Sequence, residues 1–133
     1  MDKMVVAGKR KTAVAKATIE DGAGEISFNK RPLSFFGDLQ QLEINEPLII
    51  ASDVLGELKF DIALNVKGGG LACQVEAGRL AIAKAIVKFT KNDDLKNAFL
   101  AYDRNMLIAD TRRKEACKPG DSNARANRQT SFR

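Results

Sequence analysis

Asp61-Ile-Ala-Leu-Asn-Val-Lys-Gly-Gly-Gly70 leads into Leu71-Ala-Cys-Gln-Val-Glu-Ala-Gly-Arg-Leu-Ala-Ile-Ala-Lys-Ala-Ile-Val-Lys-Phe89, and the rest of the chain has to pack against this stretch. Ile62, Leu64 and Val66 alternate with smaller or polar residues, the period-2 pattern of a strand with one buried face. Three glycines then turn the chain. In the segment that follows, Leu71, Val75, Gly78, Ile82, Ile86 and Phe89 recur three or four apart and form one helical stripe. Lys84, Lys88 and Lys91 fall on another side, with Glu76 nearer to them than to the stripe. The stretch therefore predicts a strand, a glycine corner and a long amphipathic helix, the centre of an α+β domain.

Working outward, 133 residues suit one small domain with a modest core. No apolar run reaches the roughly 18 residues of a membrane span. The N-terminus lacks the basic flank, apolar block and small-residue cleavage site of a signal peptide, so a cytoplasmic location is expected. There is no histidine, and Cys73 and Cys117 cannot make a zinc site alone. A reducing setting is the economical expectation for both thiols. The net charge of +5 is unevenly placed: residues 1–111 hold fifteen basic and fifteen acidic side chains, and residues 112–133 seven basic against two acidic. The expected division is a domain over 1–111 and an extended basic arm over 112–133.

Before the central strand, Met4 to Ala7 reads as a short strand that resumes over Ala13 to Glu20. The interruption, Gly8-Lys9-Arg10-Lys11-Thr12, predicts a bulge or kink that turns three cationic side chains outward, or else a solvated basic turn. Glu25 to Phe28 is expected to form a hairpin with the preceding strand across Asp21-Gly-Ala-Gly24. Pro32 is placed to begin a short helix through Phe36. Asp38 to Glu43 could be helical or extended, and Pro47 is expected to open a separate helical turn stopped by Gly56. After the long helix, Asn92 can cap a helix with Asp93 and Asp94 in its first turn. Leu95, Ala98, Phe99 and Tyr102 should face inward there, and Met106 to Ala109 should be the last core segment.

From Asp110 onward the only large apolar side chain is Phe132. Such a segment cannot offset its ordering entropy by burial, and alone in water it should stay unfolded. Arg112, Arg113 and Lys114 follow the core directly. Lys118, Arg125, Arg128 and Arg133 are then spread among small or polar residues. Arginine offers a forked donor to phosphate and a planar face to bases, and fully extended the 22 residues span at most about 70 Å.

An enzyme reading lacks parts: no histidine, no base for either cysteine and no recognisable carboxylate pair. Lys67-Gly68-Gly69-Gly70 at a helix start could be a conformational corner, a nest for a nucleic-acid phosphate, or a site for a nucleotide or metabolite phosphate. It is neither a Walker loop nor a dinucleotide fingerprint. The last option keeps a small phosphate-binding enzyme, or its relic, as the alternative function. Lys84, Lys88 and Lys91 are a solvated face or a set of phosphate contacts, and Arg79 is equally open.

Four segments taken together resemble the universal small-subunit ribosomal protein S9 family in its archaeal-type form. They are Val6-Ala-Gly-Lys-Arg-Lys-Thr-Ala-Val-Ala-Lys16, Ile26-Ser-Phe-Asn-Lys-Arg-Pro32, Phe60-Asp-Ile-Ala-Leu-Asn-Val-Lys-Gly-Gly-Gly70 and the terminal Gln129-Thr-Ser-Phe-Arg133. The resemblance implies an α+β fold of the ribosomal protein S5 domain 2-like kind, a left-handed βαβ unit with a four-stranded sheet and helices on one face, plus the C-terminal arm. It implies no cofactor, no catalysis and no homo-oligomer. The implied partners are 16S-type rRNA in the small-subunit head, peptidyl-site tRNA and neighbouring head proteins. Carried onto this chain, rRNA contacts fall on Lys9, Arg10, Lys11, Thr12 and Lys67 to Gly70. In the arm they fall on Arg112, Arg113, Lys114, Lys118, Arg125 and Arg128, with Arg133 and Arg128 toward tRNA. The arm departs from the family's denser basic run at Glu115, Cys117, Asp121-Ser-Asn123, Asn127 and Thr130.

Overall fold

The computed structural model describes residues 3–117, so Lys118, Arg125, Arg128 and Arg133 lie outside the described residues. The elements are β1 (Met4–Arg10), β2 (Ala13–Asp21), β3 (Ile26–Phe28), β4 (Arg31–Pro32), a 3-10 turn (Leu33–Phe35), α1 (Asp38–Leu55), β5 (Phe60–Lys67), α2 (Leu71–Thr90), α3 (Asp93–Tyr102) and a second 3-10 turn (Arg104–Met106). The sheet order is β1-β2-β5-β3-β4, antiparallel except where β3 runs parallel to β5. The α+β class stands. The sheet has five strands and not four, because Arg31–Pro32 folds back on β3 across Asn29 and Lys30, both at positive φ.

Two expectations about the strands before α1 are corrected. The basic cluster does not bulge one strand; it closes a hairpin. Arg10 pairs with Ala13, and only Lys11 and Thr12 form the turn, with Lys11 at φ 50°. Nor does β3 form a hairpin with β2. The central strand slots between them, pairing Ile19 with Ile62 on one side and Ile26 with Ile62 on the other. Asp61 holds the crossing, its Oδ1 accepting from the N–H groups of Gly24 at 2.9 Å and Glu25 at 2.8 Å. At the far end Asn29 substitutes for a strand neighbour. Its Oδ1 accepts from Val66 N–H at 2.7 Å, and its amide donates to Val66 O at 3.2 Å.

The long helix sits between the sheet and α1. Val75, Gly78, Ile82 and Ile86 are buried as expected, whereas Leu71 at the corner is half exposed. Ala77, Leu80, Ala81, Ala83 and Ala85 are buried as well, which a one-stripe reading misses, because α1 covers a second side. Small residues make this approach close. β2 presents Ala13, Ala15, Ala17 and Ile19 to the helix, all fully buried. A Cβ on Gly8 would lie 2.4 Å from Ala77 O and 2.8 Å from Ala81 N. Gly78 makes room in the same way for the Phe28 ring, 3.1 Å from where its Cβ would stand.

α1 is one continuous helix through Pro47, not a break followed by a new turn. A proline inside a helix removes one backbone hydrogen bond at a cost of about 3 kcal/mol. Burial on both sides offsets it: Ile44, Pro47 and Ala51 are all inaccessible beneath the helix. Gln40 Oε1 accepts from Gly37 N–H at 2.9 Å and secures the start. Asn92 caps α3 as expected, accepting from Asp94 N at 2.9 Å and Leu95 N at 3.4 Å. Leu95, Phe99 and Met106 are core, but Tyr102 and Ile108 are exposed. Among the described residues no helix is long and apolar enough to cross a membrane.

Because the Gly8 contact is backbone against backbone, Gly8→Ala should lower the unfolding free energy by about 1–3 kcal/mol. The expected readout is a lower denaturant midpoint at unchanged slope. An unshifted midpoint would mean that β1 and α2 do not approach this closely.

Candidate nucleic-acid interface

All three long helices lie on one side of the sheet, and strand alternation decides which side chains face the other. β1 turns Met4, Val6, Gly8 and Arg10 toward the helices and Val5, Ala7 and Lys9 away; β2 turns Val14, Lys16 and Thr18 away. On β5 the outward residues include Ala63, Asn65 and Lys67. Lys9 pairs with Val14 and Val14 with Lys67, so the two lysines share one cross-strand row, two strand spacings or roughly 9.5 Å apart. Lys16, paired with Asn65, stands in the middle strand of that face, diagonal to both. No acidic residue interrupts this triangle. Lys16 joins this basic triangle although it belongs to neither sequence cluster, because strand register places it between them.

The two segments singled out in the sequence meet at the same end. A Cβ on Gly68 would lie 2.5 Å from Thr12 O, and one on Gly69 would lie 3.3 Å from Thr12 Oγ1. The Lys11-Thr12 turn therefore rests on the Lys67–Gly70 corner. Gly68 and Gly69 both take positive φ, 79° and 68°, so the corner needs glycine for its backbone as well as for the contact. Gly70 is the N-cap of α2 and supplies no capping side chain, and no acid stands in the first turn. The positive end of a 20-residue helix thus opens beside Lys11 and Lys67. The cavity on the neighbouring sheet face, bounded by Val14, Lys16, Asn65 and Lys67, measures about 180 Å³. Pockets for small molecules and cofactors run from about 300 Å³ upward, so this one does not suit a nucleotide.

Arg10 behaves differently from the other cations of its cluster. Its side chain is only 14% exposed and pairs with Glu76 of α2 and, at 2.7 Å, with Asp110. Asp110 also receives Arg112, from Nη2 at 2.7 Å and Nε at 2.9 Å on Oδ2, and its Oδ1 accepts Arg112 N–H at 2.9 Å. These bonds hold the Asp110 carboxyl far below the usual carboxylate range. Arg10 is consequently an internal tie that fixes the root of the C-terminal segment at the hairpin end of the sheet. Arg113 and Lys114 are exposed just beyond, in a stretch without regular secondary structure.

Arg79 is also tied. It meets Glu46 of α1 at 2.5 Å and Asp103 at 3.4 Å. Tyr102 O–H donates to Glu46 Oε1 at 3.1 Å, and bonding to that carboxylate raises the phenol's pKa. This network locks three helices together and presents no open cation. Lys84 and Lys88 stand with Lys96 around an apolar groove, while Lys91 closes the far end of α2 at φ 50°. Cys73 is half-buried on α2. Among the described residues no group of three or more His, Cys, Asp or Glu side chains could hold a metal ion.

A carboxyl with a depressed pKa in the folded state stabilises the fold above its unfolded value, near 3.9, and loses that contribution as the pH falls. Asp110→Asn should therefore lower the melting temperature at pH 7 and flatten the decline of stability below about pH 4. Thermal unfolding between pH 7 and pH 2 tests this, and identical profiles for both proteins would refute the tie.

The chain matches the ribosomal protein S9/S16 family over residues 8–133. It is 44% identical over 129 residues to a small ribosomal subunit protein uS9 of Methanococcus vannielii, covering 95% of each chain. Two strains of Methanococcus maripaludis carry proteins of the same name that are 46% and 45% identical over the same length and coverage. Lys9, Lys16, the Lys67–Gly70 corner and the arm all fall within the matched span, and the chain belongs to the ribosomal protein S9/S16 family.

Proposed function

We propose that this protein is a structural constituent of the small ribosomal subunit that binds 16S-type rRNA in the head through its open sheet face and glycine corner. In this reading residues 112–133 are an arm that orders on RNA, with Arg128 and Arg133 reaching peptidyl-site tRNA. One observation carries the proposal. Tertiary folding gathers Lys9, Lys16, Lys67, the Lys11-Thr12 turn, the uncapped start of α2 and the root of the arm at one end of the molecule. Family membership and the names of the relatives, small ribosomal subunit protein, point the same way.

The chemistry is neutralisation and positioning, with no bond made or broken. Lysines on a flat strand surface contact phosphates without reading bases, and contacts of that kind fix register and orientation on folded RNA. Arginines on a chain with small spacers can follow a crowded groove, and a terminal guanidinium makes a charge-assisted bond to tRNA backbone that favours retention over sequence selection. The cytoplasmic ribosome is the expected location, and the neighbouring head proteins are the remaining partners.

Replacing Lys9, Lys16 and Lys67 together by alanine should weaken binding to a small-subunit head rRNA fragment. The salt dependence, as the slope of log K against log salt, should become shallower by about 3, one for each phosphate that is no longer neutralised. An unchanged slope would place the RNA elsewhere. Removing residues 120–133 should leave the thermal midpoint of the domain in place while reducing retention of peptidyl-site tRNA in reconstituted subunits. Full retention would refute the role of the arm.

A further inference from the structure

The helix layer carries a second surface of opposite character. α1 is apolar on two sides. Ile44, Pro47 and Ala51 face the core, yet Leu39 is 76%, Leu42 60% and Ile49 54% exposed on the opposite side. At 100° per residue, Leu39, Leu42, Glu46, Ile49 and Asp53 fall within one quadrant of the helix, with Glu43 beside them. The charge there has a single sign. From Pro32 to Leu58 the chain has Asp38, Glu43, Glu46, Asp53 and Glu57 and neither lysine nor arginine. Arg79, which reaches this helix from α2, is consumed by Glu46 and Asp103, and Lys59, just beyond it, pairs with Glu57.

Exposed apolar area and the sign of the charge around it together select the occupant. Apolar side chains this exposed and this aligned mark an interaction surface rather than scattered surface residues. Carboxylates interspersed among them repel a phosphate backbone, so rRNA, which the opposite face attracts, is disfavoured here. A protein surface bearing lysine or arginine around an apolar ridge satisfies both features: leucines and isoleucine bury against the ridge, and Glu43 and Asp53 meet the cations at the rim. We infer that the outward face of α1, centred on Leu42 and Ile49, is a docking surface for a basic, apolar-ridged segment of another small-subunit protein.

This inference rests on the proposed place in the subunit, and the test separates the two. A photo-crosslinking amino acid is placed at Leu42 or Ile49, and as a control at Lys16, in the full chain, which is then assembled into small subunits. Failure of all three proteins to assemble refutes the ribosomal reading itself. With assembly achieved and Lys16 crosslinked to rRNA, the docking surface requires Leu42 and Ile49 to crosslink to a Lys- or Arg-rich peptide of another subunit protein. That crosslink should fall about tenfold with Glu43→Lys and Asp53→Lys together while the Lys16 crosslink persists. Crosslinks to rRNA, to residues 118–133 of the same chain, to a second copy, or to nothing overturn the inference.

Discussion

Gly8 on β1 meets Ala77 and Ala81 on α2 with almost no side-chain volume between them, and β2 beside it turns only Ala13, Ala15, Ala17 and Ile19 to the same layer. That close approach is the constraint on which the remaining geometry depends. A helix held at ordinary distance from a sheet leaves the loop before it free to stand away. Here the preceding loop must turn back sharply, and glycines at 68 and 69 let it do so against Thr12. The packing of small residues thus presses two basic segments, far apart in sequence, into one surface.

The same geometry divides the cations by role. Alternation along β1 sends Lys9 to the open face and Arg10 under the helix layer, although they are adjacent. Arginine suits the inner position because its fork can engage Glu76 and Asp110 at once, whereas a lysine offers one compact charge. The Arg10–Asp110 pair, with both side chains mostly covered, is screened less than exposed contacts such as Lys59–Glu57, both of whose side chains are about 80% exposed. The arginine at the centre of the basic motif is therefore structural, and the lysines on either side remain open to a polyanion. Opposed to them across the domain, α1 collects carboxylates and exposed aliphatics. The molecule is polarised, with a basic sheet face and hairpin end on one side and an acidic, apolar helix on the other.

Much of the fold is legible in the residues alone. The strand at Ile62 to Val66 and the helix from Leu71 onward follow from periodicity, because both are long enough for burial to impose its rhythm on composition. The cap at Asn92 follows from local hydrogen bonding. Pairing does not follow: β3 prefers the parallel edge of β5 over a short hairpin with β2 because Asp61 and Asn29 hold it at both ends, and both act across more than thirty residues. Pro47 reads as a helix start because the buried contacts of Ile44 and Ala51 that carry the helix through it lie on other elements.

What the linear chain determined alone is the class of fold, the family, and the concentration of excess charge after Thr111, since each depends on residue type and spacing. Tertiary structure decided which cations remain available: Lys16 joined Lys9 and Lys67, Arg10 and Arg79 were withdrawn into ion pairs, and the carboxylates of α1 were set apart. The physical reason is that exposure and pairing are properties of strand register and helix packing, which bring together residues that no local window contains.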